Sequence, residues 1–311
     1  MMNKKANHRI KLRIADIIID IQSRFRLELF TEEEQKSLVA ERFNNFFYEG
    51  NQKPDILIKV EVTDRLPDAS GETIFVTTHF QDGRENWRLL KKGNAYVYKS
   101  SLEDKEQLMF VNRTFDRVTA YLLPKKNKDL VWNITDIIYD FLQVLLINYF
   151  ALKNQGIFTH SIGVKDSGGK GLLFTGKSGA GKSTTARLWH KHSKAMVLND
   201  DRIIVRKLNG KFFIYGSPWH GEFSDYLASR IESAPLEKIF FIHHSSKNTS
   251  RRIFHKEAFN LLYPALFPTF WDKKCLENIV YFCQDLIKNV PCHSLGFVKD
   301  KKVIEFVRGQ I

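Results

Sequence analysis

The chain predicts a mixed α/β domain preceded by a smaller β-rich domain, and three observations carry that prediction. Residues 172–184 read Leu-Leu-Phe-Thr-Gly-Lys-Ser-Gly-Ala-Gly-Lys-Ser-Thr, an apolar strand entering G-x-x-x-x-G-K-S with a helical segment behind it. Short alternating apolar runs dominate residues 9–130, whereas strands and longer helical stretches are mixed from 133 onward. Pro124 to Asp129 is polar and led by proline, which marks a boundary. The domains are therefore placed at 1–130 and 131–311, a length that allows two buried cores.

In the first domain, Ile10 to Ile14 alternates and Asp16 to Ile21 continues apolar. Strands follow at Asp55 to Val62, Thr73 to Phe80, Trp87 to Leu90, Tyr96 to Tyr98 and Val118 to Leu123. Lys92-Gly93-Asn94 reads as a hairpin turn. Leu29 to Phe47 reads as one helix, opened by a Thr31 cap with Glu34 at the capping-box position. In the second domain a helix from about Asn133 to Lys153 precedes a strand at 157–164, a tight turn at Asp166 to Gly169, and the glycine loop. Ser183 to His190 reads as the helix after the loop, and a strand lies at 195–198. Ile203–Lys207 and Lys211–Tyr215 form a hairpin around Asn209-Gly210, 237–243 is a strand, and 256–290 is mostly helix. Ser294 to Val298 and Val303 to Val307 close the chain, with no internal repeat.

Apolar content of 43% with 25 phenylalanines excludes a disordered chain. The net charge of +13 is uneven: residues 1–133 carry 23 basic and 20 acidic side chains, residues 134–311 carry 25 and 15, so +10 of the excess lies with the glycine loop. Anionic ligands are favoured there. The basic residues are scattered among acids and form no long run, which disfavours nucleic acid. Cys275, Cys283 and Cys292 are odd in number and lack C-x-x-C spacing, so neither a disulfide framework nor a zinc site is expected, and a reducing cytoplasm fits. Charges interrupt the N-terminal apolar stretch, and Asp140, Gln143 and Asn148 interrupt Ile137 to Leu152, so neither a secretory leader nor a membrane span is expected.

The loop chemistry follows from its residue types. Gly176, Gly179 and Gly181 permit backbone angles closed to other residues, so N–H groups from Gly176, Lys177, Ser178, Gly179, Ala180, Gly181, Lys182, Ser183 and Thr184 can converge on one anion. Lys182 is expected to reach the β and γ phosphates and Ser183 to hold Mg2+, with the positive end of the following helix facing the phosphate. Asn199-Asp200-Asp201-Arg202 follows an apolar run eighteen residues beyond Lys182. Phosphoryl transfer to a hydroxyl needs an acid beside the metal and a carboxylate that takes the acceptor's proton, and paired aspartates supply both. A solvated strand-end turn is the plain alternative. Transport ATPases place their acid far downstream, after an LSGGQ-like segment that this chain lacks.

At this point the chain resembles the catalytic domain of HPr kinase/phosphorylase and, more distantly, the phosphoenolpyruvate carboxykinase-type nucleotide fold. The resemblance rests on His160 in Thr-His-Ser-Ile-Gly-Val, on Gly176 to Ser183, on Asp200-Asp201-Arg202, and on Gly216-Ser217-Pro218, and it covers about residues 157–222. It implies Lys182 on the phosphates, Ser183 on Mg2+, Asp200 as the base for the acceptor hydroxyl, Asp201 assisting metal or base, and His160 close to the transferring phosphate. Thr184 stands where the family commonly has Glu, so one metal-side carboxylate is missing. The arginine-bearing phosphorolysis loop of the bifunctional enzymes has no counterpart that we identify, which leaves phosphorylase activity open.

Trp219, His220 and Glu222, in a loop bounded by Pro218 and Gly221, are candidates for an acceptor-binding lip, with a packed loop anchored by Trp219 as the alternative. His243-His244, His190 and His192 lack partners at metal spacing and are assigned exposed or structural roles. Arg251-Arg252 is read as a solvated loop with the alternative of contacting an anionic substrate. The expectation is a cytoplasmic ATP- and Mg2+-dependent kinase that phosphorylates a hydroxyl, first a serine of a protein or peptide, which the β-rich domain would clasp by strand addition. A small-metabolite kinase and a nucleotide sensor that transfers nothing are the rivals. The loop reads phosphates and not the base, so GTP or pyrophosphate remain open as donors, and the family resemblance makes a homo-oligomer plausible.

Overall fold

The computed structural model of the protein describes residues 8–28, 43–78, 85–102, 105–123, 131–134, 137–221 and 231–311. The chain divides into two compact units, Met1–Ala40 with Phe47–Tyr149, and Glu41–Phe46 with Phe150–Ile311. The helix expected over 29–47 falls mostly outside the described residues, as do Pro124 to Asp129 and Glu222.

In the first unit, β1 (His8–Ile14) and β2 (Ile17–Ser23) form a hairpin whose turn residues Ala15 and Asp16 both have positive φ, 47° and 60°. That is the backbone twist a two-residue hairpin requires. Then come β3 (Arg26–Glu28), β4 (Ile56–Val62), β5 (Glu72–Thr78), β6 (Glu85–Lys92), β7 (Ala95–Leu102), β8 (Lys105–Asn112), β9 (Arg117–Leu122) and β10 (Val131–Asn133). Eight of these make one mixed sheet in the order β1-β2-β4-β9-β8-β7-β6-β5, while β3 and β10 pair separately. Gly93 and Asn94 turn β6 into β7, as the sequence predicts. The strand β8 was not anticipated: its apolar residues Leu108 to Val111 run together without alternation, so the period-two signal is missing.

A π-helical turn (Ile137–Phe141) leads into α1 (Leu142–Lys153). The boundary between the units falls inside α1 and not at 130/131. The reason is packing: Phe141 meets the Tyr98 ring edge-on at 5.2 Å, so the start of this helical segment belongs to the first core.

In the second unit, β11 (Gly156–Lys165) and β12 (Gly171–Thr175) are antiparallel, and the glycine loop joins β12 to α2 (Lys182–His192). After them come β13 (Met196–Asn199), β14 (Arg202–Leu208), β15 (Lys211–Tyr215), β16 (Ser233–His244) and β17 (Thr249–Ile253). The expected helical stretch resolves into α3 (His255–Leu262), a 3-10 turn (Tyr263–Ala265) and α4 (Lys273–Asn289), followed by β18 (Cys292–Phe297) and α5 (Lys302–Arg308). Two long strands change partners along their length. The first half of β11 pairs with β14 and its second half with β12 and β13, while β16 starts beside β15 and continues beside β12 and β18. One sheet is thus β11-β14-β15-β16, and the other runs β13-β11-β12-β16-β18-β17 with a parallel centre of β12, β16 and β18. Residues 249–253 are a strand at the edge of that sheet and not the loop expected.

Apolar side chains fill both sides of the second sheet. Phe174, Trp189, Phe240, Leu295, Phe297, Val303 and Ile304 pack on one side, and Leu173, Leu198, Ile239, Phe241, Phe282 and Leu286 on the other. The strand β12 is buried at all five residues, which explains why it reads as a continuous apolar run. The three cysteines are free and buried, and burial pushes each thiol up to about 12. No helix among the described residues is long and apolar enough to cross a membrane.

The buried Asn278 on α4 donates from Nδ2 to the carbonyls of Ala151 (2.9 Å) and Leu152 (3.0 Å) at the end of α1, and Ala151 O also accepts from the Asn154 N–H at 3.2 Å. Asn278→Ala removes the Asn278 donor from both carbonyls while Ala151 O keeps the Asn154 N–H, and it is expected to cost about 1–3 kcal/mol. Urea unfolding checks this: the midpoint of the second unit should fall with its slope unchanged, and an unmoved midpoint would show that water replaces the amide.

Candidate active site

The ends of β12 and β16 lie side by side because these strands run parallel, with Thr175 opposite Phe241. A cavity of about 570 Å3 opens where they end, lined by Gly176 to Ala180, Lys182 and His160 on one side and by Ile242, His243, His244, Leu261, Pro264 and Ser294 among others. Crevices at the carboxyl ends of parallel strands are where α/β sheets take ligands.

The loop is shaped by its glycines. Gly181, with φ at +100°, is the N-cap of α2, and a Cβ there would lie 2.7 Å from the Phe297 ring. The helix has no side-chain cap, so its first-turn N–H groups face the loop without a competing side-chain acceptor. The ammonium of Lys182 is folded onto the loop's own carbonyls, 2.9 Å from Gly176 O and 3.3 Å from Lys177 O. Burial lowers its pKa, and the charge of Asp201 works the other way. A buried cation hydrogen-bonded to two carbonyls of a glycine-rich loop fits a polyphosphate: the phosphate oxygens would replace those carbonyls.

The aspartate turn is held by Asn199, which is fully buried. Its Oδ1 accepts from the backbone N–H of Asp201 (2.8 Å) and Arg202 (2.9 Å), and its Nδ2 donates to the carbonyls of Ser217 (2.8 Å) and Trp219 (2.7 Å). The Ser217 hydroxyl donates to Arg202 O at 2.6 Å. One amide therefore clamps the turn to the 216–219 loop. Sequence reasoning passed over Asn199 because a buried Asn and a turn Asn look alike in a sequence.

The two aspartates have opposite acidities. Asp200 is held above the ordinary carboxylate range by burial and by the neighbouring Asp201 charge, offset in part by the Gly221 N–H at 3.2 Å. Asp201 is buried too, but the His160 hydrogen bond, Arg202 and Lys182 outweigh burial and hold it below that range. The His160 Nε2 lies 2.7 Å from Asp201 Oδ1, and Arg202 pairs with the other oxygen while lying 4.4 Å from the centre of the Phe267 ring. Pairs of carboxyls pushed apart in this way divide into a group that can hold a proton and one that stays ionised.

The structure thus brings Lys182, His160 and the glycine loop to one cavity and joins Asp201 to it through His160. Asp200 faces Gly221 and is not among the residues lining the cavity. Ser183 is exposed on the first turn of α2, and Thr184 beside it leaves that turn without an acid. Among the described residues no three His, Cys, Asp or Glu side chains gather around one point.

The acceptor lip needs correction at Trp219. Its side chain is 2% exposed and packs edge-on against Phe43 and Phe158, each 6.0 Å away, so it anchors the loop and does not offer a binding face. The His220 Nδ1 lies 2.6 Å from the Gly221 carbonyl. Two residues assigned exposed or structural roles line the cavity instead: His243, and His244, whose Nε2 donates to Gly179 O at 2.9 Å. Their only sequence signal was position, at the end of an apolar strand later found parallel to β12.

The solved structure of the HPr(Ser) kinase/phosphatase from Coxiella burnetii is similar to this chain over 49% of its residues and 86% of that protein, at 10% identity and a TM-score of 0.28. No family model and no curated protein matches the chain. A likeness this low carries no argument, and the functional reading rests on the site itself.

Proposed function

We propose that the second unit is a P-loop kinase of HPr kinase-like type that uses ATP and Mg2+ to phosphorylate a hydroxyl, with a serine of a protein or peptide as acceptor and the first unit recognising it. The observation that carries this reading is the Asp200-Asp201 turn, clamped by Asn199 and tied through His160 to the cavity that Lys182 and the glycine loop line, with burial raising the Asp200 pKa and His160 and Arg202 lowering that of Asp201. A pure phosphate-binding turn has no need for a carboxyl poised to take a proton.

In the reaction the acceptor oxygen bonds to the γ phosphorus as the bond from that phosphorus to the β–γ bridging oxygen breaks, leaving ADP. Asp200 takes the hydroxyl proton, a role its raised pKa suits, since a stronger base within the aspartate class draws the proton further. Lys182 exchanges the Gly176 and Lys177 carbonyls for phosphate oxygens, and the loop N–H groups hold the remaining charge. Ser183 and the ionised Asp201 would hold Mg2+, which when bound neutralises the charge shared by the β and γ phosphates. His160 orients Asp201 and lines the cavity beside Lys182.

The acid-free first turn of α2 favours a second reading, a nucleotide sensor without transfer. Incubation with γ-labelled ATP and cell extract separates the two: a kinase moves label to an acceptor, and a sensor binds ATP and moves none. Lys182→Ala is expected to abolish transfer and weaken ATP binding. Asp200→Asn should leave ATP binding nearly intact while lowering turnover by about 10²–10⁴-fold, and full turnover in that variant would refute the base assignment.

The pH dependence has a definite sign. A base works ionised, so kcat/KM should fall as pH drops through the Asp200 pKa, with a midpoint above the ordinary value of about 3.9. Asp201→Asn removes a negative neighbour that raises that pKa. The acid limb should therefore move to lower pH even as turnover falls, and an upward movement would contradict the coupling.

A further inference from the structure

Away from the cavity, one face of the second sheet carries a group of cations that the kinase chemistry does not use. Side chains alternate across a strand, so cross-strand partners and residues two apart share a face. Leu172 pairs with Lys238, and Lys170, just before β12, lies close enough for its charge to act on Lys238. Phe240, two residues beyond Lys238, pairs with His293, and His293 pairs with Arg252. Ser250, two residues before Arg252, joins them, its Oγ 2.9 Å from His293 Nδ1. Four strands or strand starts thus bring two lysines, an arginine, an imidazole and a hydroxyl to one patch.

No carboxylate side chain among the described residues forms an ion pair with Lys170, Lys238 or Arg252. The two lysines donate to main-chain oxygens of Ile311 and Gln310 after α5, and Arg252 lies 5.0 Å from the centre of the Phe254 ring. Next to it, Arg251 points to the opposite side and pairs with Glu257. Arg252, exposed, and the half-buried Lys238, Ser250 and His293 are open to a ligand yet partly removed from water, where charge counts for more.

We propose that Lys170, Lys238, Ser250, Arg252 and His293 form a second anion site, taking a phosphate dianion, either free or as a phosphate monoester. The arginine fork and the hydroxyl match tetrahedral oxyanion geometry, and the two ammonium groups supply charge. The His293–Ser250 pair gives the site an adjustable donor. With the imidazole neutral, the hydroxyl donates to Nδ1; with it protonated, Nδ1–H donates to the serine oxygen and the hydroxyl proton turns to the ligand. Burial, Lys238 and Arg252 hold the His293 pKa down. A bound dianion opposes those charges, so its binding takes up a proton at His293. None of the five residues lines the glycine-loop cavity, so this site stands whether or not the kinase reading does.

The test follows the His293 imidazole by proton–carbon NMR in the full chain, assigned with His293→Gln, while inorganic phosphate or phenyl phosphate is added. Saturable movement of that signal and a higher His293 titration midpoint are expected, and the tighter of the two probes tells free phosphate from monoester. Arg252→Ala should weaken binding about tenfold or more, as should Lys238→Ala, whereas Arg251→Ala should leave it unchanged. Lys182→Ala should also leave it unchanged, because it disturbs only the glycine loop. A His293 signal that neither probe moves overturns the site. So does equal weakening by Arg251→Ala, which would show diffuse surface charge, or loss of the response in Lys182→Ala, which would place the phosphate at the loop.

Discussion

The second unit is organised by the pairing of one five-residue strand, β12, between β11 on one side and β16 on the other. All five of its residues are buried, so neither its register nor its direction can slip without exposing apolar surface and unpaired backbone. The antiparallel pairing with β11 sets Ser161 across from Thr175, and His160 follows the turn of β11 toward β14. The parallel pairing with β16 sets His243 and His244 beyond the end of β12. The loop, the imidazole bound to Asp201 and the two cavity histidines are consequences of that one strand's neighbours.

Around this frame the polar groups are arranged so that little is left to chance. Asn199 uses both ends of its amide, one on the aspartate turn and one on the 216–219 loop, and Trp219 wedges that loop against Phe43 and Phe158. Two neighbouring carboxyls in such a place cannot both ionise freely. Arg202 and His160 are spent on Asp201, which leaves the ionised form of Asp200 supported by the Gly221 N–H, its own N–H and the more distant His220. The asymmetry between the two aspartates is therefore a product of partners and not of sequence position.

The same sheet gathers positive charge in a second place. The glycine loop concentrates backbone N–H groups where the parallel strands end, while Lys170, Lys238 and Arg252 assemble from the register of β12, β16 and β17. The two regions rest on different physics. One depends on backbone geometry that glycine permits, and the other on side chains alternating across paired strands.

The sequence by itself determined the local chemistry: the apolar run into the glycine loop, the α2 helix behind it, the Asn209-Gly210 hairpin with both turn residues at positive φ, and the aspartate pair. These depend on residues within a few positions of each other, so composition and spacing reveal them. What lay far apart in the chain was decided by tertiary structure alone. His243 and His244 gained a place at the cavity only through strand pairing, Trp219 lost an exposed role to aromatic packing, and residues 249–253 became a strand because β18 offered them an edge. The start of the α1 segment joined the first unit for the same reason, a ring contact between Phe141 and Tyr98. Long-range register and burial carry no periodic signature in a single chain, and they are what set each side chain's partners and hence its acidity.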